Sequence, residues 1–174
     1  MPGLFFDDYE TPVYRPPSEA ESFILRVTRG CAHNHCTYCN MYRGVQFEKL
    51  TDEEIMRQIA MAYSVDRDGV RRVFLADGDA LVLETERLLK ILNTLKKYFP
   101  NLERVASYAA PGDILRKSVE ELTQLREAGL QILYYGMESG DSQTLRDIRK
   151  GVDGPQSIEV GKRADLVLWK SAFF

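Results

Sequence analysis

Cys31, Cys36 and Cys39 are the chain's three cysteines, and they fall within nine residues, Cys31-Ala-His-Asn-His-Cys-Thr-Tyr-Cys39. Both histidines, His33 and His35, lie inside the same stretch. Thiolate is the usual ligand of zinc and of iron–sulfur clusters, and gaps of four and two residues let three thiolates wrap one compact inorganic centre. A four-iron cluster normally takes four cysteines, so three leave one iron open, and an open coordination position is where a metal does chemistry. The competing reading is a closed zinc site made by the three cysteines and one histidine, an ordinary structural set. A disulfide is the weakest reading, because three cysteines leave one over and nothing points to secretion.

The elements that must position this loop alternate. Phe23 to Thr28 reads as a strand running straight into Arg29-Gly30 and the cysteines. Thr51-Asp-Glu-Glu54 is a capping box opening a helix with Ile55, Ile59 and Tyr63 on one face. Val73 to Ala76 is a second strand, broken by Asp77-Gly78-Asp79. A helix from Thr85 to Phe99 carries Leu88, Leu92 and Leu95, and Pro100 stops it. Arg104 to Ala109 is a third strand, ended by Pro111-Gly112. A second capping box, Ser118 to Glu121, starts a helix that Gly129 closes. Leu130 to Met137 is a fourth strand, and Asp141 caps the helix after it. Four strand–helix repeats make a parallel sheet with helices outside, and ligands of such sheets gather beyond the carboxyl ends of the strands. The cysteine loop, Asp77-Gly78-Asp79, Ser107 with Tyr108, and Glu138 with Ser139 all fall there.

The composition excludes several classes. A 174-residue chain that is 44% hydrophobic and 28% charged has the makings of one domain with a real core. A net charge of −3 gives no broad basic surface, so nucleic acid is not indicated. No apolar run is long enough to span a membrane and the start lacks a signal-peptide pattern, which predicts a reducing cytoplasmic setting. Residues 1–22 hold four of the seven prolines and read as an extended arm whose aromatics Phe5, Phe6, Tyr9 and Tyr14 pack on a surface, or equally as a disordered tail.

The run Thr28-Arg-Gly-Cys-Ala-His-Asn-His-Cys-Thr-Tyr-Cys-Asn-Met-Tyr42, with Arg15-Pro-Pro-Ser-Glu-Ala20 upstream, resembles the radical S-adenosylmethionine (radical SAM) superfamily, in its generic iron–sulfur oxidoreductase-like branch. The resemblance implies an α/β partial (β/α) barrel with a core over residues 23–164. It also implies a [4Fe–4S] cluster on Cys31, Cys36 and Cys39, with S-adenosylmethionine on its open iron. One electron, from a donor such as flavodoxin or ferredoxin, would then yield a 5′-deoxyadenosyl radical that takes hydrogen from a small-molecule or other substrate. Asp77-Gly78-Asp79 stands where the family usually shows Gly-Gly-Glu at the cofactor's ammonium. Glu138, assisted by Ser139, matches the acid at the ribose, and Tyr38 matches the aromatic beside adenine. Ser107 is a weaker candidate. Lys or Arg at a helix end is ordinary dipole complementation, so Arg149 and Lys150 read as structural. About four βα units are expected of the family's usual six, with 165–174 an atypical tail, so a truncated fragment that binds a cluster without cofactor is a further expectation beside the zinc-stapled module.

Overall fold

A computed structural model describes residues 13–163 and 167–168. The expected aromatics Phe5, Phe6 and Tyr9 lie outside the described residues. The main sheet has five parallel strands: β1 (Phe23–Arg26), β4 (Arg72–Ala76), β5 (Arg104–Tyr108), β6 (Leu130–Tyr135) and β7 (Val167–Leu168), side by side in chain order. A small antiparallel pair, β2 (Thr28–Arg29) and β3 (Glu48–Lys49), brackets the cysteine loop and its continuation. The helices are α1 (Asp52–Asp66), α2 (Thr85–Tyr98), α3 (Pro111–Arg116), α4 (Val119–Glu127), α5 (Ser142–Asp147) and α6 (Gly154–Arg163).

Each crossover carries the chain to the next strand without reversing direction. A doubly wound sheet must reverse, whereas a barrel does not, so this is an open (β/α) half-barrel of four βα units plus β7. β7 is a finding beyond the four expected strands; its two residues pair with Tyr134 and Tyr135.

Alternation along the strands sorts the core into two layers. Phe23, Leu25, Val73, Leu75 and Val105 face the helices, while Ile24, Phe74, Ala76, Ala106 and Tyr134 face the inner side. On α2 the buried residues are Leu88, Ile91, Leu92 and Leu95, each worth about 1.5–3 kcal/mol of burial. On α1 the buried face is Ile55, Ile59 and Ala62. Tyr63, expected on that face, is turned out and meets Tyr98 edge-on at 5.5 Å instead. Both capping boxes form. Pro111-Gly112, read as a strand end, opens the short helix α3, because proline at a first turn loses no hydrogen bond.

The inner face is not bare. Val13 packs on its apolar layer, and the buried Glu19 carboxylate accepts from Arg104 at 2.6 Å and from the Tyr134 hydroxyl at 2.6 Å. The described end of the arm is thus pinned to β5 and β6. No helix among the described residues is long and apolar enough to cross a membrane.

Candidate functional site

β1 ends at Arg26 and the chain turns through Thr28 to Gly30, whose φ of +75° only glycine adopts without strain. This turn is locked to the end of β4. Gly30 N donates to Asp77 Oδ2 at 3.2 Å, Gly78 N donates to Gly30 O at 3.2 Å, and Asp77 N donates to Thr28 Oγ1 at 3.2 Å. The Asp77 carboxylate also pairs with Arg26 at 3.2 Å, both side chains buried. Burial raises the Asp77 pKa and Arg26 works against that rise. The first of the three residues read as a cofactor contact therefore spends its carboxylate on holding the cysteine loop.

Gly78 lies where a side chain has no room. A Cβ there would stand 2.5 Å from Tyr42 Cε2 and 3.0 Å from Cys31 Cβ. Backbone at this point therefore reaches the first cysteine directly.

Asp79 is fully buried. Its Oδ1 accepts from Ala110 N at 3.2 Å, and among the described residues no N–H or O–H reaches Oδ2. That oxygen shares its surroundings with Asp113, itself buried and paired with Arg116. Burial, reinforced by Asp113, pushes the Asp79 carboxyl up to about 9 from 3.8. A raised acid binds its proton more tightly when folded, so its stabilising contribution is whole below about pH 4 and is lost as pH climbs through about 9. Asp79→Asn should flatten that dependence. Thermal melts at pH 5 and pH 8 are expected to fall with pH for the natural chain and to fall less for the variant, with each kcal/mol appearing as about 2–4 °C.

On the other side, the loop is tied to the turn after α5. Thr37 N donates to Ile148 O at 3.0 Å, and a His33 ring nitrogen bonds Arg149 O at 2.7 Å. Gly151, at φ +81°, leaves space for that imidazole. Arg43 closes the loop from outside, donating to Thr37 O at 2.9 Å and Cys39 O at 3.2 Å. Lys150, read as a dipole partner, lands within the site. Its Nζ donates to Glu138 Oε1 at 3.1 Å and to the Tyr38 hydroxyl at 3.2 Å. It also counteracts the rise that burial imposes on the Cys36 thiol. Sequence reasoning weighed Lys150 as a contact to the cofactor carboxylate and set it aside as a dipole partner, and it missed Asp113 and the Arg26 pairing. Arg149 at φ +55° and Glu138 at φ +60° mark the two special backbones that bring Lys150 to Glu138.

Cys31, Cys36, Cys39, Tyr38, Glu138, Gly78 and Asp79 thus gather at the carboxyl ends of β1, β4 and β6. Ser107 and Ser139 do not join them by hydrogen bond: Ser107 donates to Tyr108 O at 2.9 Å, and Ser139 Oγ accepts from Asp141 N at 3.0 Å. All three thiols are reduced and half-buried. They are neighbours, since Cys36 acts electrostatically on Cys31 and Cys39 on Cys36, and burial raises both Cys31 and Cys36. Among the described residues no three His, Cys, Asp or Glu side chains converge on a single ion. Three neighbouring thiols with no fourth cysteine, next to backbone uncovered at Gly78, fit a cluster with an open corner. His33 Nε2 is bonded to Arg149 O.

Residues 25–165 match the family model described as the Radical SAM superfamily. A putative methylthiotransferase of Methanocaldococcus jannaschii is 21% identical over 149 residues, covering 80% of this chain and 31% of that protein. An uncharacterized methyltransferase of Pyrococcus horikoshii is 22% identical over 143 residues, covering 81% and 29%. The chain therefore spans under a third of the length of these curated relatives. Among solved structures, the cobalamin-dependent S-adenosylmethionine radical enzyme OxsB, with aqua-cobalamin and S-adenosylmethionine bound, superposes with a TM-score of 0.69 at 19% identity, over 85% of this chain and 23% of that one. Methylornithine synthase superposes at 0.58 and 18% identity, over 82% and 40%. These likenesses show the fold.

Proposed function

Because the chain belongs to the radical SAM superfamily, whose members bind a [4Fe–4S] cluster and S-adenosylmethionine, we propose that its cysteine loop carries such a cluster and that its rim holds that cofactor. When bound, the pair supplies a 5′-deoxyadenosyl radical able to abstract hydrogen from a substrate. Cys31, Cys36 and Cys39 hold three irons. Asp79 takes the ammonium of the methionine end, and Gly78 lets the backbone beside it pack against Cys31. Tyr38 lies beside the adenine. Glu138 takes the ribose hydroxyls with Ser139 nearby, and Lys150 steers the Glu138 carboxylate. Asp77 and Ser107 serve from behind, Asp77 by fixing Gly30 and Ser107 by shaping the end of β5. An electron donor of the ferredoxin or flavodoxin kind and a reducing cytoplasm complete the reading.

The observation that carries it is the set of three neighbouring thiols at the carboxyl end of β1, with the Gly78 backbone packed against the first of them. Anaerobic reconstitution with iron and sulfide should load about four irons per chain. Calorimetric titration of the loaded protein with S-adenosylmethionine should then give saturable heat. One tightly held zinc without sulfide overturns the cluster, and loading without heat overturns the cofactor site.

A further inference from the structure

Lys150 is tucked in where most lysines stay in solvent. Its side chain is 11% exposed, and Nζ stands 5.9 Å from the ring centre of Tyr38 and 6.0 Å from that of Tyr135. Left-handed backbone flanks it on both sides, at Arg149 (φ +55°) and Gly151 (φ +81°). A residue other than glycine in that region costs about 1–3 kcal/mol and persists only where its surroundings enforce it. Here the cysteine loop does so, through Thr37 on Ile148 O and His33 on Arg149 O. Gly136 completes the berth, since a Cβ there would stand 3.3 Å from Nζ and 2.5 Å from Glu138 Oε1. A pair with Glu138 alone could form at the surface and would need none of this.

What the arrangement adds is a cation beside the thiols. Tyr38 lies between Cys36 and Cys39 in the chain, and its hydroxyl accepts from Nζ at 3.2 Å. The same hydroxyl acts on the Cys36 sulfur as a hydrogen-bond donor. Lys150 acts on Cys36 more strongly than its anionic partner Glu138 does, so the ion pair turns its positive end to the sulfur. The potential of an iron–sulfur cluster follows its net charge and the hydrogen bonds to its sulfurs. Reduction adds one negative charge, which a fixed cation favours.

We propose that Lys150 is a positioning residue that, with Tyr38, raises the reduction potential of the cluster on the cysteine loop by holding an ammonium beside Cys36. This rests on the cluster proposed above. The step is the gain of one electron, from [4Fe–4S]2+ to [4Fe–4S]+, supplied in the test by dithionite, with no bond made or broken. Iron-loaded natural chain, Lys150→Met, Lys150→Arg and Glu138→Gln are titrated without S-adenosylmethionine, and the reduced cluster is read by electron paramagnetic resonance. At a given poise, Lys150→Met should lower the ratio of reduced to oxidised cluster about tenfold, or 59 mV for one electron. Lys150→Arg, which keeps the charge, should stay close to the natural chain. Glu138→Gln removes the opposing anion and should shift the ratio upward. A merely structural pair would move Lys150→Met and Glu138→Gln in the same direction, because either change loosens the same turn, and that result overturns the assignment. An unchanged potential in Lys150→Met also overturns it. Should Lys150→Met fail to load iron, Glu138→Gln decides: a higher potential supports the assignment, and an unchanged or lower one overturns it. Failure of the natural chain to load about four irons rejects the cluster itself, a separate result.

Discussion

Replacing any one of Cys31, Cys36 or Cys39 with alanine is expected to abolish four-iron loading, taking reconstituted iron from about four atoms per chain to below about one. The chain has no other cysteine to substitute. A thiolate bridges protein to iron at each occupied corner, and two anchors cannot hold a cube whose third and fourth corners face water. The loop itself should persist, because its ties to Gly78, Ile148 and Arg43 are made by groups other than the thiols. The paired control is His33→Ala with His35→Ala. Under the cluster reading these variants keep full iron and sulfide, with the His33 change loosening only the contact to Arg149. Iron and acid-labile sulfide assays on the five proteins decide between the readings: full loading in a cysteine variant overturns the three-cysteine cluster, and loss of metal on histidine removal alone favours the zinc module.

Asp77→Ala is expected to be the most destabilising single change outside the apolar core. Removing one partner of a buried ion pair leaves the other charge buried and uncompensated, at about 3–5 kcal/mol. Arg26 and Asp77 are both essentially inaccessible, so solvent cannot take over. The same change strips Gly30 N of its acceptor, so the loss extends to the entrance of the cysteine loop. Urea denaturation should show the lower midpoint, and hydrogen exchange should show Gly30 losing protection in the native state. The double variant Arg26→Met with Asp77→Leu should recover much of the lost stability, because apolar groups of similar volume replace a buried pair with little net cost. It should not restore protection at Gly30. Recovery of both would show that Asp77 serves only the ion pair and does not fix the loop.

How much of this was legible beforehand differs element by element. The capping boxes at Thr51 and Ser118 and the cap at Asp141 formed as read, because a cap is satisfied within one helical turn. Tyr63 was misplaced because the choice between Ala62 and Tyr63 as the third buried position depends on how α1 lies on β1. Lys150 looked like ordinary charge near a helix end. Only the turn after α5, folded back over Tyr38, makes it a neighbour of Glu138.

By itself the sequence determined the three thiols at fixed spacing and the alternation of strand and helix that carries them. Both depend on residues close together in the chain, whose period and capping act locally. Only the tertiary structure decided that Asp77 faces inward to Arg26, that Asp79 shares its pocket with Asp113, and that Tyr42 meets Gly78. Those partners are separated by tens of residues, and they come together through the parallel register of β1, β4 and β5 and the close packing at their ends, which no short stretch of sequence encodes.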